Sequence, residues 1–204
     1  MDMLLKQAVE GMRNNGFEVI EVDNAAQARE YLLGQIGKDE SVGIGGSMSV
    51  QDIGIVPALR EKGCTVYTTI GADPAQAKRI RLEAHLADNY LCSANAVTRT
   101  GKLVLVDGRG NRVGAVCDGP EHLFFVISHS KVVDGGINTA IARIKQTACP
   151  QNTRRLNIDT PCSRTGKCGG ADCKNTICCL TLVVDHVPHD RKVTIVFVEE
   201  ALGY

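Results

Sequence analysis

Apolar residues recur at helical spacing over the first fifteen positions, where Leu4, Leu5, Ala8 and Met12 share a face and predict a helix from Met1 to Asn15. Phe17 to Val22 is strand-like. Asn24 caps a second predicted helix, with Ala28, Tyr31, Leu32 and Ile36 as its apolar stripe. A short strand, Ser41 to Ile44, runs into Gly45-Gly46-Ser47, and the helix expected after it is divided by Gly54 and Pro57. Cys64 to Ile70 is rich in β-branched residues and reads as a strand. Asp73-Pro74 then opens a helix through Ala87. This alternation is the pattern of a parallel α/β sheet with helices on its faces.

After residue 89 the rhythm changes. Tyr90 to Thr98, Lys102 to Asp107, Arg112 to Val116 and Leu123 to Ser128 read as strands, with Asp107 to Asn111 as a hairpin turn. A helix from Gly136 carries Ile137, Ala140, Ile141, Ile144 and Ala148 on one face. A polar, cysteine-rich loop over 149–179 follows, then strands at Leu180 to Val187 and Val193 to Val198. The whole, 1–204, is expected to form a single domain: Rossmann-like α/β with an added β-region. A loop of that length inside a compact domain points to function.

A chain of 204 residues buries a sufficient core without disulfides. Its start lacks the apolar centre of a signal peptide, and no apolar run approaches a membrane span. A cytoplasmic location is therefore expected, where thiols stay reduced. Lys plus Arg equal Asp plus Glu at 23 each, so the basic footprint of a nucleic-acid binder is missing.

Nine cysteines stand out against that background. Cys64, Cys92 and Cys117 fall in apolar strand-like runs and read as core. Cys162, Cys168, Cys173, Cys178 and Cys179 crowd a polar segment, with Cys149 just upstream. Thiolates are soft ligands for zinc or iron–sulfur clusters. The spacing lacks the paired C-x2-C knuckles of a zinc ribbon, which favours a 4Fe-4S cluster on Cys162, Cys168, Cys173 and Cys178, with Cys179 or Cys149 as substitutes. Zinc and unligated thiols remain as alternatives. Arg164 and Lys167 inside the loop would favour thiolates.

Two further segments carry candidate chemistry. Gly45, Gly46, Ser47 and Ser49 form a strand-to-helix turn where backbone can approach an anion closely, or simply turn tightly. Ser93, Asn95, Thr100 and Gly101 place polar groups at a strand end, followed by Asn111 and by Arg112, which suits a carboxylate or phosphate. Turn chemistry is the alternative for Asp107 and Asn111. His129 ends an apolar strand and reads as structural.

Together these segments resemble the LUD-domain family, to which proteins of lactate utilisation belong. The residues that carry the resemblance are Gly45-Gly46-Ser47, Ser93 to Thr98 with Thr100-Gly101, Gly110 to Val113, Lys131 to Val133, Pro150 to Leu156, Thr160 to Cys162, Thr165 to Cys168 and Glu200 to Tyr204. The resemblance implies a fold like that of the glucosamine-phosphate isomerase, ribose-phosphate isomerase and CoA-transferase superfamily. It also implies a part in oxidising lactate or a related organic acid, with an anionic small molecule and redox proteins as partners. The chain departs from the cysteine-bearing branch in having four residues between Cys168 and Cys173, and in doubling the last cysteine at Cys178-Cys179. Two rival readings stand: a zinc-stabilised, non-catalytic binding protein, and an isomerase or CoA-transferase-like enzyme on an anionic substrate. A homo-oligomer is compatible with all three.

Overall fold

In the computed structural model, which describes residues 2–204, the chain runs α1 (Met3–Asn14), β1 (Glu18–Val22), α2 (Ala25–Gln35), β2 (Ser41–Ile44), α3 (Met48–Asp52), α4 (Ile55–Lys62), β3 (Thr65–Thr68), α5 (Ala77–His85) and β4 (Asn89–Cys92). It continues through β5 (Ala96–Val97), β6 (Leu103–Asp107), α6 (Asn111–Asp118), β7 (His122–Ser128), α7 (Ile137–Arg143), α8 (Cys149–Arg155), α9 (Pro161–Thr165), β8 (Leu180–Val184) and β9 (Lys192–Val198). Met1, at the head of the first expected helix, lies outside the described residues. No helix among them is long and apolar enough to cross a membrane.

Six strands form one parallel sheet in the order β1-β9-β7-β4-β2-β3. Helices cover both faces, so the central strands are apolar on both sides. Leu123, Phe125 and Ile127 of β7 join Ile195 and Phe197 of β9 in one core. Phe124 and Val126 join Val196 and Val198 in the other, as the two-residue period of a strand dictates. The expected Rossmann-like α/β architecture is borne out.

The added β-region exists but is assembled differently from expectation. β5, β6 and β8 form a separate antiparallel sheet, while β4 and β7 belong to the parallel one. The strand expected from Tyr90 to Thr98 breaks at Ser93 to Asn95. Asn95 causes this break: its N–H donates to the Val104 carbonyl at 2.9 Å while its Oδ1 accepts from Val106 N–H at 2.9 Å. One residue thereby crosses from one sheet to the other.

Arg112 to Val116 is helical, not a strand, and Asp107 to Asn111 is not a hairpin. The Asp107 carboxylate accepts the N–H groups of Arg112 (3.0 Å) and Val113 (3.3 Å), supplying acceptors for the first turn of α6. Gly110, at φ 90°, makes the left-handed step before it. Cys117 consequently lies on the outer face of α6 and is exposed, contrary to the core reading, whereas Cys64 and Cys92 are buried. α5 begins only at Ala77, because the Asp73 carboxylate closes a local turn onto Ala75 N–H at 3.0 Å.

The helix expected from Gly136 runs further than its apolar stripe suggested. A π turn over 144–148 joins α7 to α8, and Pro150 sits in the first turn of α8, where a missing N–H is tolerated. Cys149 thus opens a helix, and the irregular part of 149–179 starts after α8. Ala140, Ile144, Ala148 and Cys149 pack with Val104 and Val106 of the small sheet.

Candidate functional site

β7, β4 and β2 are neighbours, so their carboxyl ends lie side by side. From β2 the chain goes out to β3, whereas β4 leads on towards β7 on its other side. Such a reversal leaves a crevice beyond the strand ends, the usual ligand position in open α/β sheets. Gly45 to Ser47 follow β2, Ser93 to Asn95 follow β4, and His129 to Lys131 follow β7. The turn after β6, the start of α6, α8 and Thr176-Ile177 close the far side around a cavity of about 540 Å³. That volume is in the range that encloses a small-molecule ligand.

Charge in the cavity is one-sided. Arg81, Arg109, Arg112, Arg155 and Lys131 line it against one acidic side chain, Asp107. Arg155 is engaged by Asn152 at 2.8 Å. The guanidinium groups of Arg81 and Arg109 have no hydrogen-bond or ion-pair partner among the described residues and are available to a ligand.

Lys131 forms the floor. It is 3 % exposed, and its ammonium donates to Ser49 Oγ (2.7 Å), Ser93 Oγ (2.9 Å) and the Ala94 carbonyl (3.3 Å). Burial, with Arg143 and Arg112 nearby, pulls its pKa down to about 7. Sequence reasoning did not single out Lys131 as a site residue. The available signal was a lysine immediately after the apolar run Leu123 to Ile127, where a solvated cation is not expected.

Arg112 is a strut. Its guanidinium donates to the Ser93 carbonyl (3.2 Å), Asn95 Oδ1 (3.2 Å) and the Val106 carbonyl (2.7 Å), which binds the end of β4 to the end of β6. Asp107 lies 3.9 Å from it. Burial pushes the Asp107 carboxyl up, but the Arg112 charge and three backbone N–H groups outweigh this and hold its pKa below 3.8. Tyr90, buried beside Arg112, has its pKa raised by desolvation.

The other expected ligand-binding residues divide into three groups. Gly46, Ser47, Ser93, Asn95, Asn111 and Arg112 line the cavity. Gly45 and Ser49 stand just behind the wall: a Cβ on Gly45 would meet Arg112 Cγ at 2.6 Å, and Ser49 supports Lys131. Thr100 and Gly101 are elsewhere, packed against Gly11 and Met12 of α1. Ser47 accepts from Val50 N–H and so caps the short α3. Gly46 faces open space, where a Cβ would meet nothing within 4 Å. His129 lies outside the cavity lining, and its Nδ1 is buried with no partner among the described residues.

Among the cysteines, Cys149 alone lines the cavity, carried there by α8. Its Sγ lies 3.3 Å from Cys178 Sγ. Cys149 and Cys162 share one apolar cluster, against which Cys178 packs. Thr160 Oγ1 lies 3.3 Å from Cys162 Sγ. A hydrogen bond from the Cys149 thiol lowers the Cys178 pKa, and the same contact raises that of Cys149. Cys179 is exposed, its N–H held by the Asp107 carbonyl at 3.0 Å, and does not enter the core. No three His, Cys, Asp or Glu side chains among the described residues stand in a ready metal-binding arrangement. The thiols of Cys149, Cys162 and Cys178, which share one cluster, nonetheless suit a soft metal or cluster in their chemistry.

The sequence profile of the LUD domain matches residues 5–198. Among solved structures, a DUF162-family protein from Deinococcus radiodurans is 13% identical, over 96% of this chain and 96% of its own, with a TM-score of 0.53. That likeness is one of fold. Ribose 5-phosphate isomerase A from Neisseria gonorrhoeae is 16% identical over 64% of this chain and 53% of its own, with a TM-score of 0.33, too low to define a common fold. No curated protein matches the chain.

Proposed function

The chain belongs to the LUD-domain family, and from that premise we propose that it binds a small organic anion of the 2-hydroxy- or 2-oxo-acid class and takes part in the oxidation of lactate or a related acid. The carrying observation is the cavity itself: five cationic side chains against one acidic one, with a buried lysine at the floor. A buried ammonium ringed by guanidinium groups in a concave site pairs best with an anion, which replaces the lost hydration.

Gly46 offers a direct test, because a side chain there enters open space and disturbs no packing. Gly46→Val should weaken binding of L-lactate or pyruvate at least tenfold in calorimetric titration, with the melting temperature unchanged. Equal affinity in the two proteins would mean that the ligand seats elsewhere.

The same reading includes a 4Fe-4S cluster on the adjacent thiols, which supplies one-electron transfer when bound. The contact of Cys149 with Cys178 and its shared cluster with Cys162 support these three as holders, with Cys168 kept from the spacing and Cys149 in place of Cys173. Protein purified without oxygen should then contain about four irons and four sulfides per chain. Cys149→Ser should lose most of that iron, and Cys173→Ser should keep it. The reverse pattern would restore the set drawn from spacing alone, and one zinc without sulfide would make the segment a structural clip.

A further inference from the structure

The geometry points to Lys131 Nζ as a nucleophile that captures the carbonyl carbon of a 2-oxo acid, holding it as an imine on the cavity floor. This rests on the organic-anion reading above and adds a covalent step to it. Lys131 is the one lysine among the residues that line the cavity. It is fixed at its tip by Ser49, Ser93 and the Ala94 carbonyl, so the amine is held at the base of the space where a ligand would sit. The unpaired guanidinium groups of Arg81 and Arg109, which also line the cavity, are suited to the carboxylate of the same molecule.

A nucleophilic amine must be unprotonated. Around Lys131, burial disfavours its charge most, Arg143 and Arg112 add to this, and Asp52 opposes them. With a pKa of about 7, a large fraction of the amine is neutral near neutrality. Its lone pair adds to C2 of the oxo acid and the carbon–oxygen π bond opens. One nitrogen proton passes to that oxygen to give a carbinolamine, and the second follows as the hydroxyl leaves as water and the carbon–nitrogen double bond forms. No electrons are gained or lost. The Ser49 and Ser93 hydroxyls now donate to the Leu202 and Ala94 carbonyls. Both can rotate to pass a proton to the departing oxygen.

The test is to incubate the intact protein with pyruvate, trap with sodium borohydride, and map the label by peptide mass spectrometry. Pyruvate binding is measured in parallel by calorimetry without borohydride. The expected result is a single labelled peptide containing Lys131, carrying the mass of pyruvate less water plus two hydrogens. Its yield should rise between about pH 6 and about pH 8. Lys131→Met should abolish the label, with folding checked by circular dichroism because Lys131 braces two serines. The map of the unsubstituted protein is decisive even if that variant fails to fold. Saturable pyruvate binding with no label at Lys131 would overturn the inference and leave the anion site standing. Scattered labelling of surface lysines would overturn it equally. Absence of both binding and label would overturn the anion reading, and this inference with it.

Discussion

Alanine at Gly101 should destabilise the protein by about 3–5 kcal/mol, lowering its melting temperature by roughly 10 °C. Gly101 has φ +78°, and a Cβ there would lie 2.1 Å from the Met12 amide nitrogen and 2.3 Å from the Gly11 carbonyl carbon. The crossing is reciprocal, since a Cβ on Gly11 would meet the Thr100 carbonyl carbon at 2.5 Å. Two bare backbones touch here, so α1 docks directly on the turn between β5 and β6. Left-handed strain contributes about 1–2 kcal/mol and the backbone clash the remainder. Gly46→Ala is the matched control, because its Cβ meets nothing within 4 Å. Thermal or urea denaturation of both variants checks the claim. A loss below about 1 kcal/mol at Gly101 would show that α1 shifts freely.

Arg112→Met should cost a similar amount, about 3–5 kcal/mol at neutral pH. Methionine keeps the apolar stem but removes hydrogen bonds to the Ser93 and Val106 carbonyls and to Asn95. It also leaves Asp107 buried without its cation. The pH dependence follows with a definite sign. In the unsubstituted protein the Asp107 pKa is held below 3.8, so its stabilising contribution is present above that value and is lost as pH falls through the folded-state pKa. Without Arg112, burial dominates and the carboxylate becomes a liability at neutral pH, relieved when it is protonated. The stability gap between the two proteins should therefore narrow on acidification. A gap that is constant down to about pH 3 would mean that Asp107 and Arg112 are not coupled. The ends of β4 and β6 would also come apart in the variant, so anion binding should fall with stability.

Much of the parallel sheet was legible because its signal is local: apolar runs at Ser41 to Ile44, Leu123 to Ser128 and Val193 to Val198 correspond to β2, β7 and β9. The errors share a cause. Arg112 to Val116 has strand-like composition and follows a glycine-rich turn, but α6 is set by the Asp107 carboxylate reaching forward in space to its first N–H groups. Cys117 was misplaced with it, because changing the period moves every side chain to a new face. Asn95 hid a switch between sheets that depends on Val104 and Val106, residues brought beside it only by folding.

The candidate site was legible where backbone chemistry is special, as at Gly46, Ser93 and Asn95, all of which line the cavity. Gly101 carries the same kind of signal for another reason, the close approach of α1. Lys131 was missed because a lysine after a strand reads as solvated unless the neighbouring strand ends are known to enclose it. In sequence Cys149 reads as the head of a loop, whereas α8 carries it to the cavity wall beside Cys178.

A crystal structure of the protein grown with saturating pyruvate would show whether a small organic acid seats beyond the ends of β2, β4 and β7. Density for one pyruvate is expected in the cavity, with its carbonyl carbon at Lys131 Nζ and its carboxylate met by Arg81 or Arg109. A cavity holding only solvent, or pyruvate bound solely at another surface, would contradict it.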